Sequence, residues 1–398
     1  MQQASATLEK HITSDFSEFI ALRRDIHQNP ELSFEEHRTS DIVATRLLAL
    51  GYQVDRTLGG TGVVGQLIRG KGKRHLGIRA DMDALPIQET GVAIWASRKM
   101  GVMHACGHDG HTTMLLAAAK QIAESVDFSG TLTLIFQPAE EVGSANGGAA
   151  RMIAEGLFDK YPCDAVYAMH NAPTIPQGIL LMRPGPAMAS TDKAEILLKG
   201  MGGHGAMPQF AADPTVAAAS LVMALQTVVS RNVDPQATAV VSVGVLQAGT
   251  AANVIPDTAR IELSIRALEP AVRDLLERRI TELAHDQARS FGVQAEVNYI
   301  RGCPPTVNSP AEAAFAHEVA VELLGAERVV FPCPAATGSE DFAFMLEKRP
   351  GCYVLIGNGL AGTPNGCMVH NPNYDFNDDN IAVGSAFWSL LTQRYLVS

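Results

Sequence analysis

The sequence predicts an α/β fold: a larger domain with a central mixed, mainly parallel sheet flanked by helices, interrupted by an inserted ferredoxin-like βαββαβ domain. Three observations carry this. The chain has 398 residues, beyond the size at which a single hydrophobic core stops growing. Its two ends alternate helical and strand periodicity. Its middle changes rhythm between two proline-rich breaks, Arg183-Pro-Gly-Pro-Ala-Met-Ala-Ser190 and Gly302-Cys-Pro-Pro305.

The elements follow in order. Residues 15–28 and 36–50 carry helical spacing, and 63–68 and 76–80 read as strands. A helix over 110–126 precedes the β-branched and aromatic run 131–136; a helix near 147–155 leads into a strand at 165–169. Between the breaks come a strand at 194–199, an Ala-rich helix at 212–230, strands at 239–246 and 258–266, a charged helix at 269–290 and a strand at 293–300. The last part returns to helices at 310–324 and near 340–347, a strand at 352–357 and a helix at 379–395. The simplest account is a domain of 186–302 inserted into one made of 1–185 and 303–398.

Composition removes several function classes. With 46% hydrophobic and 18% charged residues the chain is globular, and no apolar run approaches the roughly 18 residues of a membrane span. A net charge of −11 disfavours nucleic acid and anionic membranes, so the expected partner is a small molecule. Residues 1–10 lack the basic head and apolar stretch of a leader, which gives a cytoplasmic expectation. Six cysteines are scattered without a compact framework, so five read as buried thiols and Cys106 stands apart through its neighbours.

Those neighbours carry the chemistry. His104-Ala-Cys-Gly-His-Asp-Gly-His111 places three imidazoles, a thiol and a carboxylate before an apolar helix. In an extended segment the side chains of Cys106 and His108 project the same way, and thiolate with imidazole suits zinc and its neighbours. The competing reading is a buried cysteine beside histidines that cap the helix. Glu140 and Glu141 follow the strand at 131–136; adjacent carboxylates point apart, which suits one for metal and the other for proton transfer. Asp81 and Asp83 close the strand at 76–80, where carboxylates ligate metal or orient a ligating imidazole. His170 and His370 stand at strand-end positions and become ligands only if those ends converge at one sheet edge. Gly60-Thr-Gly-Val-Val-Gly65 precedes a strand rather than opening a helix, so it is not a nucleotide site. P-loop, zincin and α/β-hydrolase signatures are absent, while a Cys106–His108 thiol hydrolase remains an alternative.

The chain resembles the M20 metallopeptidases, specifically the amidohydrolase branch of hippurate hydrolases, N-acyl-amino acid amidohydrolases and auxin-conjugate hydrolases. The resemblance rests on Arg24-Asp-Ile-His-Gln-Asn-Pro-Glu-Leu-Ser-Phe-Glu-Glu36, Arg79-Ala-Asp-Met-Asp-Ala-Leu-Pro86, Met103-His-Ala-Cys-Gly-His-Asp-Gly-His111, Phe136-Gln-Pro-Ala-Glu-Glu141, Gly202-Gly-His-Gly-Ala-Met-Pro208 and Gly338-Ser-Glu-Asp-Phe342. It implies two divalent ions (Zn, Mn, Co or Ni) held by Cys106, His108, Glu141, His170 and His370, with Glu140 as general base and acid and Asp83 as the orienting aspartate. It implies that the inserted domain is a lid and dimerisation module, giving a homodimer in which His204 completes the partner's site. Asn253, Arg266 and Gly338 match the family's substrate contacts. The implied activity is hydrolysis of N-acyl amino acids; a dipeptidase or carboxypeptidase on the same scaffold is the rival.

Overall fold

The computed structural model describes residues 16–397; the leader reading of residues 1–10 lies outside them. The chain falls into two compact units, Met1–Ala187 with Val307–Pro334 and Asp341–Ser398, and Met188–Thr306 with Ala335–Glu340. The segment 335–340, which the sequence reading leaves with the larger domain, clusters with the second unit. Ala189 N–H there lies 3.1 Å from the Ala336 carbonyl and 2.9 Å from that of Gly338.

Along the chain the first unit begins with helices α1 (Ser17–Gln28) and α2 (His37–Ala49) and strands β1 (Gln53–Asp55), β2 (Val63–Arg69) and β3 (His75–Asp81). Helix α3 (His108–Ser125), β4 (Gly130–Gln137), α4 (Gly148–Ala154), β5 (Ala165–Pro173) and β6 (Leu180–Leu181) follow. The second unit holds β7 (Asp192–Lys199), α5 (Pro214–Asn232), β8 (Ala239–Ala248), β9 (Thr258–Ala267), α6 (Pro270–Ser290) and β10 (Gln294–Arg301). The chain then returns through α7 (Pro310–Leu324), β11 (Val329–Val330), the short helix Ala343–Leu346, β12 (Gly351–Gly359) and α8 (Asn380–Tyr395).

In the first unit eight strands form one sheet in the order β1-β2-β4-β3-β5-β12-β6-β11. The junctions β4-β3, β3-β5, β5-β12 and β6-β11 are parallel and the other three antiparallel, so the sheet is mixed and mainly parallel. The central strand β4 is buried at every residue, which explains why it carries no charged side chain: a strand covered on both faces has no solvent side to present one to. Helix α3 is buried nearly all round for the same reason, and its alanines let α8 pack closely on it.

The second unit is the βαββαβ arrangement, a four-stranded antiparallel sheet in the order β8-β9-β7-β10. Burial alternates along β7 and β9, so Ala194, Ile196, Leu198, Ile261, Leu263 and Ile265 face the helices while their neighbours face outward. Leu221 and Leu225 of α5 and Leu276 and Ile280 of α6 complete this core. Asp213 caps α5 by accepting the Thr215 N–H at 2.7 Å, with Pro214 at the first helical position.

Candidate metal centre

The parallel strands β3, β4 and β5 deliver their carboxyl ends to one edge of the sheet, and chemistry-bearing side chains gather there, as open α/β sheets place them. Cys106 and His108 do not converge through extended alternation. The helix starts at His108, two residues before its expected start, and Gly107 turns the chain with φ 91°. A Cβ at Gly107 would stand 2.4 Å from Asn171 Nδ2 and 2.5 Å from the Tyr374 hydroxyl oxygen, so both the left-handed turn and the space demand glycine. His170 lies inside β5 rather than after it, and its Nε2 is 3.3 Å from Cys106 Sγ.

His370 adopts φ 64°, with its N–H donating to the Ala105 carbonyl at 2.7 Å, and its Nε2 is 3.3 Å from Glu141 Oε1. Cys106, His108 and His170 offer ligand atoms within 4.8 Å of one another, as do Cys106, Glu141 and His370, and His108, Glu140 and Glu141. The five expected ligands and Glu140 therefore come together.

Two imidazoles are aimed from behind. His108 Nδ1 lies 3.1 Å from Asp83 Oδ1, and His170 Nδ1 lies 2.7 Å from the Asn171 carbonyl, which turns both Nε2 atoms toward the cluster. Among the described residues, His108 Nε2 is buried without a hydrogen-bond partner. A buried lone pair facing a thiol, carboxylates and other imidazoles fits a divalent cation, and the donor set suits zinc-like metals. Electrostatics agree. Burial opposes a charged His108, yet the carboxylates of Asp81, Asp83 and Glu141 reverse that and push it up to about 10. Burial, with Glu141, Glu140 and Asp81, holds the Cys106 thiol well above its usual range. Both shifts describe a pocket that attracts positive charge.

Asp83 does two tasks, because its Oδ2 accepts the Glu141 N–H at 3.0 Å and the Ser33 hydroxyl at 2.7 Å. Asp81 also nears the cluster, and Asp81, His108 and His111 form a further potential ligand group. Its atoms are engaged elsewhere: Oδ1 accepts His111 Nδ1–H at 2.7 Å and Oδ2 accepts Arg79 at 2.7 Å, while His111 Nε2 accepts the Asn171 N–H at 3.0 Å. Asp109 pairs with Arg23 and His27, each at 2.8 Å, and burial pushes His104 down to about 4. These residues support the cluster. Ser33, Asn171 and Tyr374 are not singled out from sequence; for Ser33 the available signal is a small polar residue inside the 24–36 motif, for Asn171 its place directly after His170, and for Tyr374 there is none. Of the five cysteines expected to be buried thiols, Cys163, Cys303, Cys333 and Cys352 are buried and Cys367 is half-buried; Cys106 is buried within the cluster.

The remaining site candidates lie in the second unit. His204 and Asn253 are exposed neighbours there: the strand Gly203–His204 pairs with Val254–Ile255, and the Gly205 N–H donates to the Asn253 carbonyl at 2.8 Å. Arg266 donates to the Ser339 hydroxyl at 3.1 Å, which brings it beside Gly338.

Residues 77–394 match the family described as Peptidase family M20/M25/M40. Over 379 residues the chain is 44% identical to a hippurate hydrolase of Campylobacter jejuni, covering 95% of this chain and 97% of that one. It is 36% identical to an N-acetyl-L-cysteine deacetylase of Bacillus subtilis, covering 99% and 90%. A solved structure of a dinuclear metal binding peptidase of the M20 family from Bacillus subtilis superposes with a TM-score of 0.83 at 32% identity, covering 98% of this chain and 99% of that one. A ligand cluster at the carboxyl edge of the sheet and this end-to-end similarity lead to one conclusion: the chain belongs to the M20 peptidase family.

Proposed function

We propose that this protein is a metal-dependent amidohydrolase that cleaves N-acyl amino acids to a carboxylic acid and a free amino acid. The observation that carries the reading is the convergence of Cys106, His108, Glu141, His170 and His370 in overlapping groups of potential ligands, one of which includes Glu140. The similarity to hydrolases named for hippurate and N-acetyl-L-cysteine supports the substrate class.

Cys106, His108, Glu141, His170 and His370 would hold two divalent ions; the two triads sharing Cys106 support that number. Bound ions supply a Lewis acid for the amide carbonyl and lower the pKa of the attacking water. Glu140 accepts the proton of that water on its carboxylate and returns it to the amine nitrogen as the C–N bond breaks. Its Oε1 faces the Asp341 N–H at 3.4 Å, which steadies the carboxylate. Asp83 orients His108 and Glu141. We assign His204 to the carbonyl oxygen as charge develops on it, and Asn253, Arg266 and Gly338 to the substrate's polar ends.

A thiol hydrolase is disfavoured because burial and the surrounding carboxylates hold Cys106 protonated, the reverse of what a nucleophilic thiolate needs. We assign the protein to the cytoplasm and to a homodimer formed by the second unit; among the described residues no helix is long and apolar enough to cross a membrane. The edge strand β8 and the exposed Val216, Met223 and Leu246 support pairing through that unit. A hydrolysis panel of N-acetyl, N-benzoyl and long-chain N-acyl amino acids against free dipeptides tests the substrate class. Preference for dipeptides would favour a peptidase instead.

A further inference from the structure

The motif at 24–36 contributes no ligand, yet its last residues reach the back of the cluster. The Ala84 N–H donates to the Glu31 carbonyl at 2.8 Å, and Leu32 bridges to Ala84, which anchors this segment beside the end of β3. From there Ser33 donates to Asp83, and Glu36, at the entry to α2, turns a fully buried side chain inward. Glu36 Oε1 accepts the Ala139 N–H at 2.8 Å, and Oε2 accepts the Thr61 hydroxyl.

Ala139 is the residue from which the two catalytic-site glutamates fork. It sits at φ 51° and ψ 45°, a left-handed conformation that an alanine adopts only when its surroundings impose it. The surroundings are identifiable. Glu36 holds the N–H of Ala139, and the Gly148 N–H holds its carbonyl at 3.1 Å. The approach of α4 that allows the second bond depends on Gly148, where a Cβ would stand 1.6 Å from the Pro138 carbonyl oxygen. With both peptide units fixed, the next two side chains leave in different directions. Glu141 meets His370, and Glu140 meets the Asp341 N–H.

We propose that Glu36 is a positioning residue for the hydrolytic reaction, holding Ala139 in the left-handed turn that separates the proton-transfer carboxylate of Glu140 from the ligand carboxylate of Glu141. This rests on Glu140 being the proton-transfer group. A buried carboxylate is costly to desolvate, and an apolar side chain would fill the same volume without that cost. What an apolar side chain lacks is the acceptor for the Ala139 N–H. Burial pushes the Glu36 carboxyl up to about 7, with the Asp83 charge adding to it against the Thr61 and Ala139 hydrogen bonds. Either protonation state keeps an acceptor at Oε1, and so does glutamine, whose amide nitrogen can donate to a reoriented Thr61 hydroxyl.

The test compares full-length, metal-loaded wild type, Glu36→Gln, Glu36→Ala and Glu140→Gln in steady-state hydrolysis of an N-acyl amino acid, with metal content measured on each sample. The expected result is a fall in kcat on the order of 10²-fold for Glu36→Ala, the scale of a reacting group displaced by about 1 Å. KM and metal content should be little changed, and Glu36→Gln should recover most of kcat. Wild-type kcat in Glu36→Ala while Glu140→Gln is inactive would overturn the inference, as would a loss confined to KM or metal content. If Glu36→Ala does not fold, the isosteric Glu36→Gln decides: near-normal kcat supports the inference and a collapse overturns it. Normal turnover in Glu140→Gln would instead remove the proton-transfer reading, and the inference with it.

Discussion

Replacing Asp83 by asparagine isolates how the cluster is oriented. Asp83 receives three hydrogen bonds in a fully buried position, from His108 Nδ1, the Glu141 backbone and Ser33. Asparagine preserves the volume but keeps only one acceptor oxygen, so either His108 Nδ1–H or the Glu141 N–H faces an amide donor. A buried donor left unsatisfied costs about 1–3 kcal/mol, which should appear as lost stability of the metal-free protein in urea denaturation. Losing the residue that aims a ligating imidazole weakens metal binding by about 10–100-fold, or about 1.4–2.8 kcal/mol. Competition with a chromogenic chelator measures that affinity directly. Unchanged affinity in Asp83→Asn would refute the claim that Asp83 aims His108.

Three more predictions follow from the buried surroundings of the cluster. Arg79 is buried and donates to Asp81 at 2.7 Å, Gln137 at 2.8 Å and Asp341 at 3.0 Å; Arg79→Ala removes the guanidinium counter-charge of two buried carboxylates and should cost about 3–5 kcal/mol in denaturant unfolding. Gly107→Ala meets Asn171 and Tyr374 and a left-handed backbone, so it should lower the Tm, with a strain of about 1–2 kcal/mol before the overlap is counted. Glu36 is pushed from 4.5 to about 7 in the fold, so the folded state binds the extra proton between those values. Its contribution therefore favours folding at low pH and is lost as pH rises from about 4.5 to about 7, by roughly 3 kcal/mol. Unfolding free energies across that range should show a slope in wild type that Glu36→Gln removes.

Much of the fold was legible because burial leaves a periodic trace. The uncharged, β-branched and aromatic β4 and the alternating β7 and β9 each announce how many faces they cover. The short strands β1, β6 and β11 carry too few residues for any period, and they form only because a neighbouring edge is available. At the site, residue types and motif spacing pointed to the ligands, and the motif resemblance chose among the alternatives. Conformation was less legible. Cys106 and His108 converge through one left-handed glycine and not through strand alternation, and Glu140 and Glu141 diverge through a left-handed alanine that no local preference would suggest. Long-range partners were hidden altogether: Ser33, Glu36 and Asp341 approach Asp83, Ala139 and Glu140 from distant parts of the sequence, and nothing local marks a buried carboxylate's acceptor role.

Hydrolysis of an N-acyl amino acid should depend both on divalent metal held by these ligands and on Glu140 as the proton carrier. The most direct measurement is turnover of an N-acyl amino acid by wild type and Glu140→Gln, each stripped with chelator and then reloaded with metal. The expected result is that wild-type activity vanishes on stripping and returns on reloading, while Glu140→Gln takes up metal equally well and stays inactive. Activity that survives stripping, or a metal-loaded Glu140→Gln that turns over like wild type, would contradict it.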